Sequence, residues 1–135
     1  GNPIDFSARQ IGDGQPDSSH ASLVVSLSGV VNMRTVVDIL DGTPVYELTT
    51  TSPGTEIVTC EETVRAFVKE ATSLIDGIHE SFPRVRELHV YPAMPASLAV
   101  ALGTALRFNL ISNYVVHEKA DGMFGETLCI GRCDE

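Results

Sequence analysis

The sequence predicts an α/β domain with a mostly parallel central sheet and a final antiparallel edge strand. Short β-branched segments alternate with segments whose apolar residues recur every three or four positions, as expected for strands joined by crossover helices. The 135 residues suffice for one domain with its own core, at 43% hydrophobic and 20% charged residues. The predicted order β-α-β-α-β-α-β-β indicates a Rossmann-like three-layer sandwich.

The first segment, residues 1–19, is rich in Gly, Pro, Asp, Ser and Gln and has no sustained apolar period. We expect a partly irregular segment here, with Ile4 and Phe6 packed as a short edge strand on a lobe over residues 20–135. Its start has no signal-peptide pattern, and no stretch of 18 residues is apolar throughout. These features predict a cytoplasmic protein without a membrane span, and the abrupt start suggests a fragment or a processed end.

The first half of the lobe contains two predicted strands. Residues 22–28 are β-branched and end at Gly29, which predicts strand one. A short helix follows, and the Asp41-Gly42 turn leads to strand two over residues 44–50. A strand fragment over residues 56–59 closes this half.

The second half begins with an amphipathic helix from Glu61 or Glu62 to Phe82. Its apolar stripe is Val64, Phe67, Val68, Ala71, Leu74, Ile75 and Ile78. Strand three is expected over residues 87–91, and a helix rich in Ala, Leu and Val over residues 95–107. That helix is apolar enough that we expect it to be covered on most sides. Strand four over residues 112–118 and a final strand over residues 126–130 complete the sheet.

A crevice is expected where the winding direction of the sheet reverses, between strands one and three in a spatial order 2-1-3-4. Pro95 suits the first helical position, since its missing N–H would have no partner there. The turn before it lies at a helix amino end, where anions bind readily. Two loops should line the crevice: Ser28, Gly29 and Val30 on one side, and Ala93, Met94 and Pro95 on the other.

Several side chains near this crevice could contact a ligand. Arg34 is the leading phosphate contact, although it could equally be a solvated arginine on a helix. Ser28 could donate to a phosphate or a base, and Met94 with Ala93 could support a base. His117 is expected near the end of strand four, on the crevice side, where it could stack on a base or transfer a proton. The simpler alternative is a surface histidine.

Composition excludes several other functions. The net charge of −9 argues against binding to long nucleic acids, although a small phosphorylated ligand is compatible with it. Neither a phosphate-binding P-loop nor a G-x-G-x-x-G motif occurs. The three cysteines are irregularly spaced, and no histidine pairs with one at zinc-ligand spacing, so we expect neither a metal nor a cofactor. No nucleophile with a base and an orienting group is evident, so no catalytic residue is predicted.

Three segments carry a family resemblance that covers most of the chain from Asp5 onward. They are Val25–Gly29 ahead of a helix, Pro44–Leu48 as a strand and, most specifically, His89–Gly103. Together they resemble the carboxyl-terminal half of SAVED domains, the sensor modules of bacterial anti-phage effectors that are related to CARF domains.

The resemblance implies a two-lobed sensor that binds a cyclic oligonucleotide, such as a cyclic oligoadenylate, across both CARF-like lobes. Binding would promote oligomerisation and activate a fused or partner effector in CBASS or type III CRISPR immunity. By position, the ligand-facing loops would include Ser28, Gly29, Ala93, Met94 and Pro95. Only one lobe is present, so a partner or a second copy would complete the pocket.

Three functions stay open at this point. The first is a binding module without catalysis. The second is a ring nuclease that cleaves the cyclic messenger with help from Ser28, Arg34 or His117. The third is a scaffolding domain that binds no ligand.

Overall fold

The computed structural model describes residues 5–27, 42–50, 61–106, 111, 113–120 and 123–131. Within these residues the chain forms six strands and two helices. In chain order they are β1 (Phe6–Gly12), β2 (His20–Ser26), β3 (Val45–Thr50), α1 (Glu61–Ser81), β4 (Glu87–Ala93), α2 (Ala96–Leu106), β5 (Asn113–Ala120) and β6 (Met123–Gly131).

The six strands form one mixed sheet in the order β1-β3-β2-β4-β5-β6. The central pairs β3–β2, β2–β4 and β4–β5 are parallel, and both edge pairs, β1–β3 and β5–β6, are antiparallel. This arrangement confirms the predicted order of strands one to four, the antiparallel final strand and an edge strand that includes Phe6. The helix and the strand fragment predicted between residues 30 and 60 lie outside the described residues.

Strand pairing moves several predicted boundaries. β4 continues to Ala93 because its last residue pairs with Ser26 of β2. β5 continues to Ala120, since it pairs with β6 as far as Met123. The predicted turn before β3 is confirmed at Gly42, whose φ of 82° is in the left-handed region that glycine adopts without steric cost.

The start of α2 also differs from the prediction by one position. The Pro95 carbonyl accepts hydrogen bonds from the Leu98 and Ala99 amides, at 3.0 and 3.1 Å, and the helix begins at Ala96. Pro95 is therefore the N-cap residue rather than the first helical residue, because its carbonyl closes the first turn while the residue itself is outside it. The fixed φ of proline still directs the chain into the helix.

Both helices contribute to the core on one face of the sheet. Side chains alternate along each strand, so Leu23 and Val25 of β2 and Leu88 and Val90 of β4 meet the helices. The predicted stripe of α1 is confirmed: Phe67, Ala71, Ile75 and Ile78 are buried, and its other three members are partly buried against the core. Thr63 is buried beside the stripe, although the apolar pattern did not include it. The other face of the sheet is buried as well, at Ser22, Val24, Ser26, Tyr91 and His117.

The prediction that α2 is covered on most sides is wrong. Among the α2 side chains that the structure describes, those buried are Leu98, Leu102 and Leu106, one per helical turn, whereas Ala99 and Val100 are exposed. Val100 has 71% of its surface in contact with solvent. Composition measures how apolar a helix is, but the number of elements packed around it decides how much of it is covered. The structure thus leaves α2 with an uncovered apolar side.

Candidate functional site

The carboxyl ends of the two central strands meet at one edge of the sheet, here called the carboxyl edge. Ser26 of β2 pairs with Ala93 of β4, and the Leu27 amide donates to the Ala93 carbonyl at 2.9 Å. The segments that follow β2 and β4, which are predicted to line the crevice, thus leave the sheet next to each other. Ser28, Gly29, Val30 and Arg34 lie outside the described residues, and their place in the crevice stays a prediction.

The amino end of α2 borders the same edge. Its first N–H groups have no acceptor within the helix, so they carry partial positive charge and can bind an anion. No acidic residue stands in the first turn of α2, whereas α1 begins with Glu61 and Glu62. The amino end of α1 is thus neutralised by its own side chains, and that of α2 is not.

Ala93 and Met94 lie on opposite faces of the sheet. Ala93 packs with Val24 and Tyr91 on the face away from the helices. Met94 packs against the helix-side core and lines an apolar groove beside α2. The expectation that the two form one apolar surface for a base is therefore not met, because alternation along the strand separates their side chains.

A buried polar group lies close behind the carboxyl edge. The Ser26 hydroxyl donates to Glu47 Oε2 at 3.0 Å, and Arg9 donates to Glu47 Oε1 at 3.0 and 3.2 Å. The Thr49 hydroxyl donates to the Ser26 carbonyl at 2.8 Å. These bonds hold β1, β3 and β2 in register where β2 ends. Sequence reasoning missed this group because its members come from three strands.

The expectation that His117 is a surface histidine is wrong. It lies inside β5, which runs on to Ala120, and only 2% of its surface is exposed. Its ring stacks on Tyr91 at 4.3 Å between centroids, and its Nε2 lies 2.9 Å from His89 Nδ1. Because Tyr91 covers the ring, His117 supports the sheet beneath the carboxyl edge rather than reaching a ligand directly.

A second polar cluster lies at the other end of the same two strands. His20 opens β2 and pairs with Glu87, the first residue of β4, while His89 follows two positions later on the same face. Glu87 and His89 are two residues apart, so their side chains share one face of the strand, and this spacing is visible in the sequence. Their partner His20 lies 69 residues before His89, so no local spacing could reveal the cluster.

The sheet order and the two central parallel strands that end beside a helix amino end define an α/β domain, whose candidate site is at the carboxyl edge, where ligands of open α/β sheets commonly bind. The family comparison is more specific. Residues 2–130 match the model of the SAVED family, described as the "SMODS-associated and fused to various effectors sensor domain". The chain belongs to the SAVED family.

Solved structures with the same fold include the Cap4 SAVED/CARF-domain containing receptor of Acinetobacter baumannii. Its complex with the cyclic trinucleotide 2'3'3'-cAAA matches with a TM-score of 0.75 and 17% identity over 93% of this chain. Its complex with 3'3'3'-cAAA has the same score and identity over 92% of this chain, and the receptor without a named ligand scores 0.72. No curated protein sequence matches this chain.

The chain spans about a quarter of the Cap4 receptor, since the match covers 26–27% of that protein. Neither described helix is both long and apolar enough to cross a membrane.

Proposed function

We propose that this domain is a sensor of a cyclic oligonucleotide, such as a cyclic oligoadenylate, in bacterial anti-phage defence. The ligand binds at the carboxyl edge and activates an effector in another domain or chain, in the bacterial cytoplasm. Two findings support this function: membership of the SAVED family, and the fold shared with a receptor solved with two cyclic trinucleotides.

The observation that carries the proposal is the hydrogen bond from the Leu27 amide to the Ala93 carbonyl. It fixes the ends of β2 and β4 next to each other at the amino end of α2. A cyclic oligonucleotide carries one phosphate per nucleotide, and helix N–H groups can bind a phosphate without a basic side chain. This mode of binding reconciles a phosphorylated ligand with the net charge of −9.

We propose that the ligand-facing loops are those expected from the sequence: Ser28, Gly29, Val30 and Arg34 after β2, and Ala93, Met94 and Pro95 after β4. His117 acts beneath them, through Tyr91. The backbone of the second loop is better suited to contact the ligand than its side chains, because Ala93 and Met94 turn to opposite faces.

The domain binds the messenger without cleaving it. Among the described residues behind the carboxyl edge, the Ser26 hydroxyl is committed to Glu47, and Glu47 to Arg9. The ring of His117 is buried against Tyr91. These groups hold the sheet together and present no activated nucleophile to a ligand. A ring nuclease would need such a group within hydrogen-bond reach of the phosphate.

A second lobe completes the binding unit. The uncovered side of α2 borders an apolar groove of about 340 Å³ between α2, β4 and β5, lined by Val90, Pro92, Met94, Ala99, Val100, Leu102, Gly103, Leu106 and Val116. Exposed apolar surface of this kind marks interaction sites. We propose that a second SAVED lobe or copy covers it, and that the messenger promotes this assembly.

Burial of both faces of the sheet favours a Rossmann-like three-layer arrangement. Helices cover one face of the sheet, yet Ser22, Val24 and Tyr91 on the other face are also buried. A sheet buried on both faces needs a layer on each.

The test is a thermal-shift and calorimetric titration of the chain with 2'3'3'-cAAA and 3'3'3'-cAAA, with linear ApApA as the control. A ligand that binds only the folded state raises the Tm, by an amount that grows with the logarithm of the ligand concentration once this exceeds Kd. A shift with a ring and none with the linear form supports the proposal. No heat and no shift with any cyclic di-, tri- or tetranucleotide would contradict binding by this lobe. Linear products after incubation would contradict the absence of cleavage.

A further inference from the structure

We infer that His20, Glu87 and His89, the His–Glu triangle, form a binding site for a divalent metal ion of the zinc type. The triangle lies where β2 and β4 begin, at the opposite end of the sheet from the carboxyl edge. It is independent of the proposed sensing function, and nothing in that function requires it.

Three potential ligand atoms converge in the triangle. His20 Nδ1 lies 2.7 Å from Glu87 Oε2, His89 Nε2 lies 2.9 Å from the same oxygen, and the two nitrogens are 3.2 Å apart. A tetrahedral zinc ion with bonds of about 2.0–2.1 Å holds its ligands about 3.3 Å apart. Small rotations of the three side chains therefore suffice to open the triangle around a metal.

The hydrogen bond between His89 and His117 orients the ring of His89. His89 Nδ1 lies 2.9 Å from His117 Nε2, and one of the two nitrogens must carry the proton between them. With Nδ1 of His89 as the donor, its Nε2 keeps a lone pair directed at Glu87 Oε2. A histidine that binds a metal commonly donates its other N–H to such an acceptor, which fixes the ring and its tautomer.

A bound metal ion would select that tautomer, in which a lone pair of His89 faces a carboxylate oxygen of Glu87. Two acceptors at 2.9 Å repel each other unless a proton or a cation lies between them. The nitrogen of His20 is directed at the same point. Three electron-pair donors around one point suit a metal ion better than a proton, because a proton is shared by only two of them. Two imidazole nitrogens with one carboxylate are a ligand set that suits zinc and similar first-row ions.

The triangle is open enough for an ion to enter. The side chains of His20, Glu87 and His89 are 34%, 26% and 17% exposed, whereas His117 behind them is almost fully buried. Because each of the three side chains is partly exposed, solvent can reach the triangle and fill a fourth coordination position with water. A bound ion would also tie the first residues of β2 and β4 together.

The experiment begins with the 135-residue chain stripped with a chelator and dialysed into metal-free buffer at neutral pH. Zinc chloride is then titrated calorimetrically, and the bound metal is quantified after gel filtration. His20→Gln and Glu87→Gln each remove one ligand. His79→Gln is the matched control, because it removes a histidine of α1 outside the triangle.

The expected result is one zinc ion retained per chain through the triangle and a higher Tm for the loaded protein. His20→Gln and Glu87→Gln should each weaken binding at least about tenfold, which is the smallest effect typical of losing even an outer partner of a metal ligand. His79→Gln should bind as the unchanged chain does. The proposal is overturned if no zinc is retained, or if the triangle variants bind zinc as well as the control. Circular dichroism of each variant confirms that lost binding does not reflect lost folding.

Discussion

His117 stacks almost parallel on Tyr91, with 4.3 Å between ring centroids and 10° between planes. Tyr91 belongs to β4, two residues before its end at Ala93, so the contact supports the sheet directly beneath the carboxyl edge. A side chain expected to reach a ligand is thus part of the packed sheet beneath this edge.

Replacing His117 should lower the free energy of unfolding without weakening the binding of a cyclic oligonucleotide. His117→Ala removes a buried ring and its bond to His89, and we expect a loss of about 2–4 kcal/mol in the free energy of unfolding. His79 is a half-buried residue of α1, and His79→Ala should lower the free energy of unfolding by less than about 1.5 kcal/mol. Urea unfolding measures both. A His117→Ala variant of unchanged stability but weaker ring binding would instead indicate direct ligand contact.

Charge at the amino end of α2 should control ligand binding. Ser97→Glu places a carboxylate in the first turn, which should stabilise the helix by about 0.3–1 kcal/mol but repel a phosphate there. We expect at least about tenfold weaker binding of a cyclic trinucleotide in calorimetry, a loss of about 1.4 kcal/mol.

The matched control for this variant is Thr104→Glu, two turns later and also exposed. It adds the same charge to the same helix, far from its amino end, and should bind as the unchanged chain does. Equal weakening by both variants would indicate a general charge effect rather than binding at the helix end.

The two partners of Glu47 should contribute unequally to stability. Ser26→Ala leaves a buried carboxylate oxygen without its donor, at a cost of about 1–3 kcal/mol. Arg9 is 71% exposed in its side chain, so the ion pair is screened, and Arg9→Ala should cost below about 1 kcal/mol. Denaturant titrations rank the two variants, and a larger cost for Arg9→Ala would contradict this account of the buried polar group.

The uncovered side of α2 should mediate assembly. Val100→Glu should leave the stability of the monomer within about 0.5 kcal/mol, because the residue is exposed. In the assembly it would bury an unpaired carboxylate, so we expect association in the presence of the ring to weaken at least about tenfold. Light scattering after gel filtration measures the mass, with Ser73→Glu, at an exposed position of α1, as the control. Unchanged assembly would place the interface elsewhere.

Alkaline pH should destabilise the fold partly through Tyr114. Burial raises the pKa of its hydroxyl above the ordinary value of 10.0, and the Asp76 carboxylate raises that pKa further. Because the folded-state pKa is the higher one, the stabilising contribution is complete below the unfolded-state pKa and is lost as the pH rises through the folded-state pKa.

The Tyr114→Phe variant tests this effect, since it removes the titrating group and keeps the ring. We expect its free energy of unfolding to fall less steeply above about pH 10 than that of the unchanged chain. Burial also raises the pKa of Tyr46, so part of the slope should persist. Identical slopes for the two proteins would show that Tyr114 does not contribute.

The α/β class, the order of the four inner strands and the apolar stripe of α1 could all be predicted from the sequence. These follow from local rules, because apolar spacing distinguishes strand from helix and connection handedness restricts the order. The same rules located the loop after β4, since a strand followed by a proline and a helix is a local pattern.

The contacts between side chains of different strands could not be predicted from local sequence. The pairing of His20 with Glu87, the stack of His117 on Tyr91 and the bond of Ser26 to Glu47 each join different strands. Their partners are far apart in the chain, and the strand register that brings them together is set by packing of the whole sheet. The uncovered side of α2 was decided in the same way, because a helix sequence does not record how many neighbours will cover it.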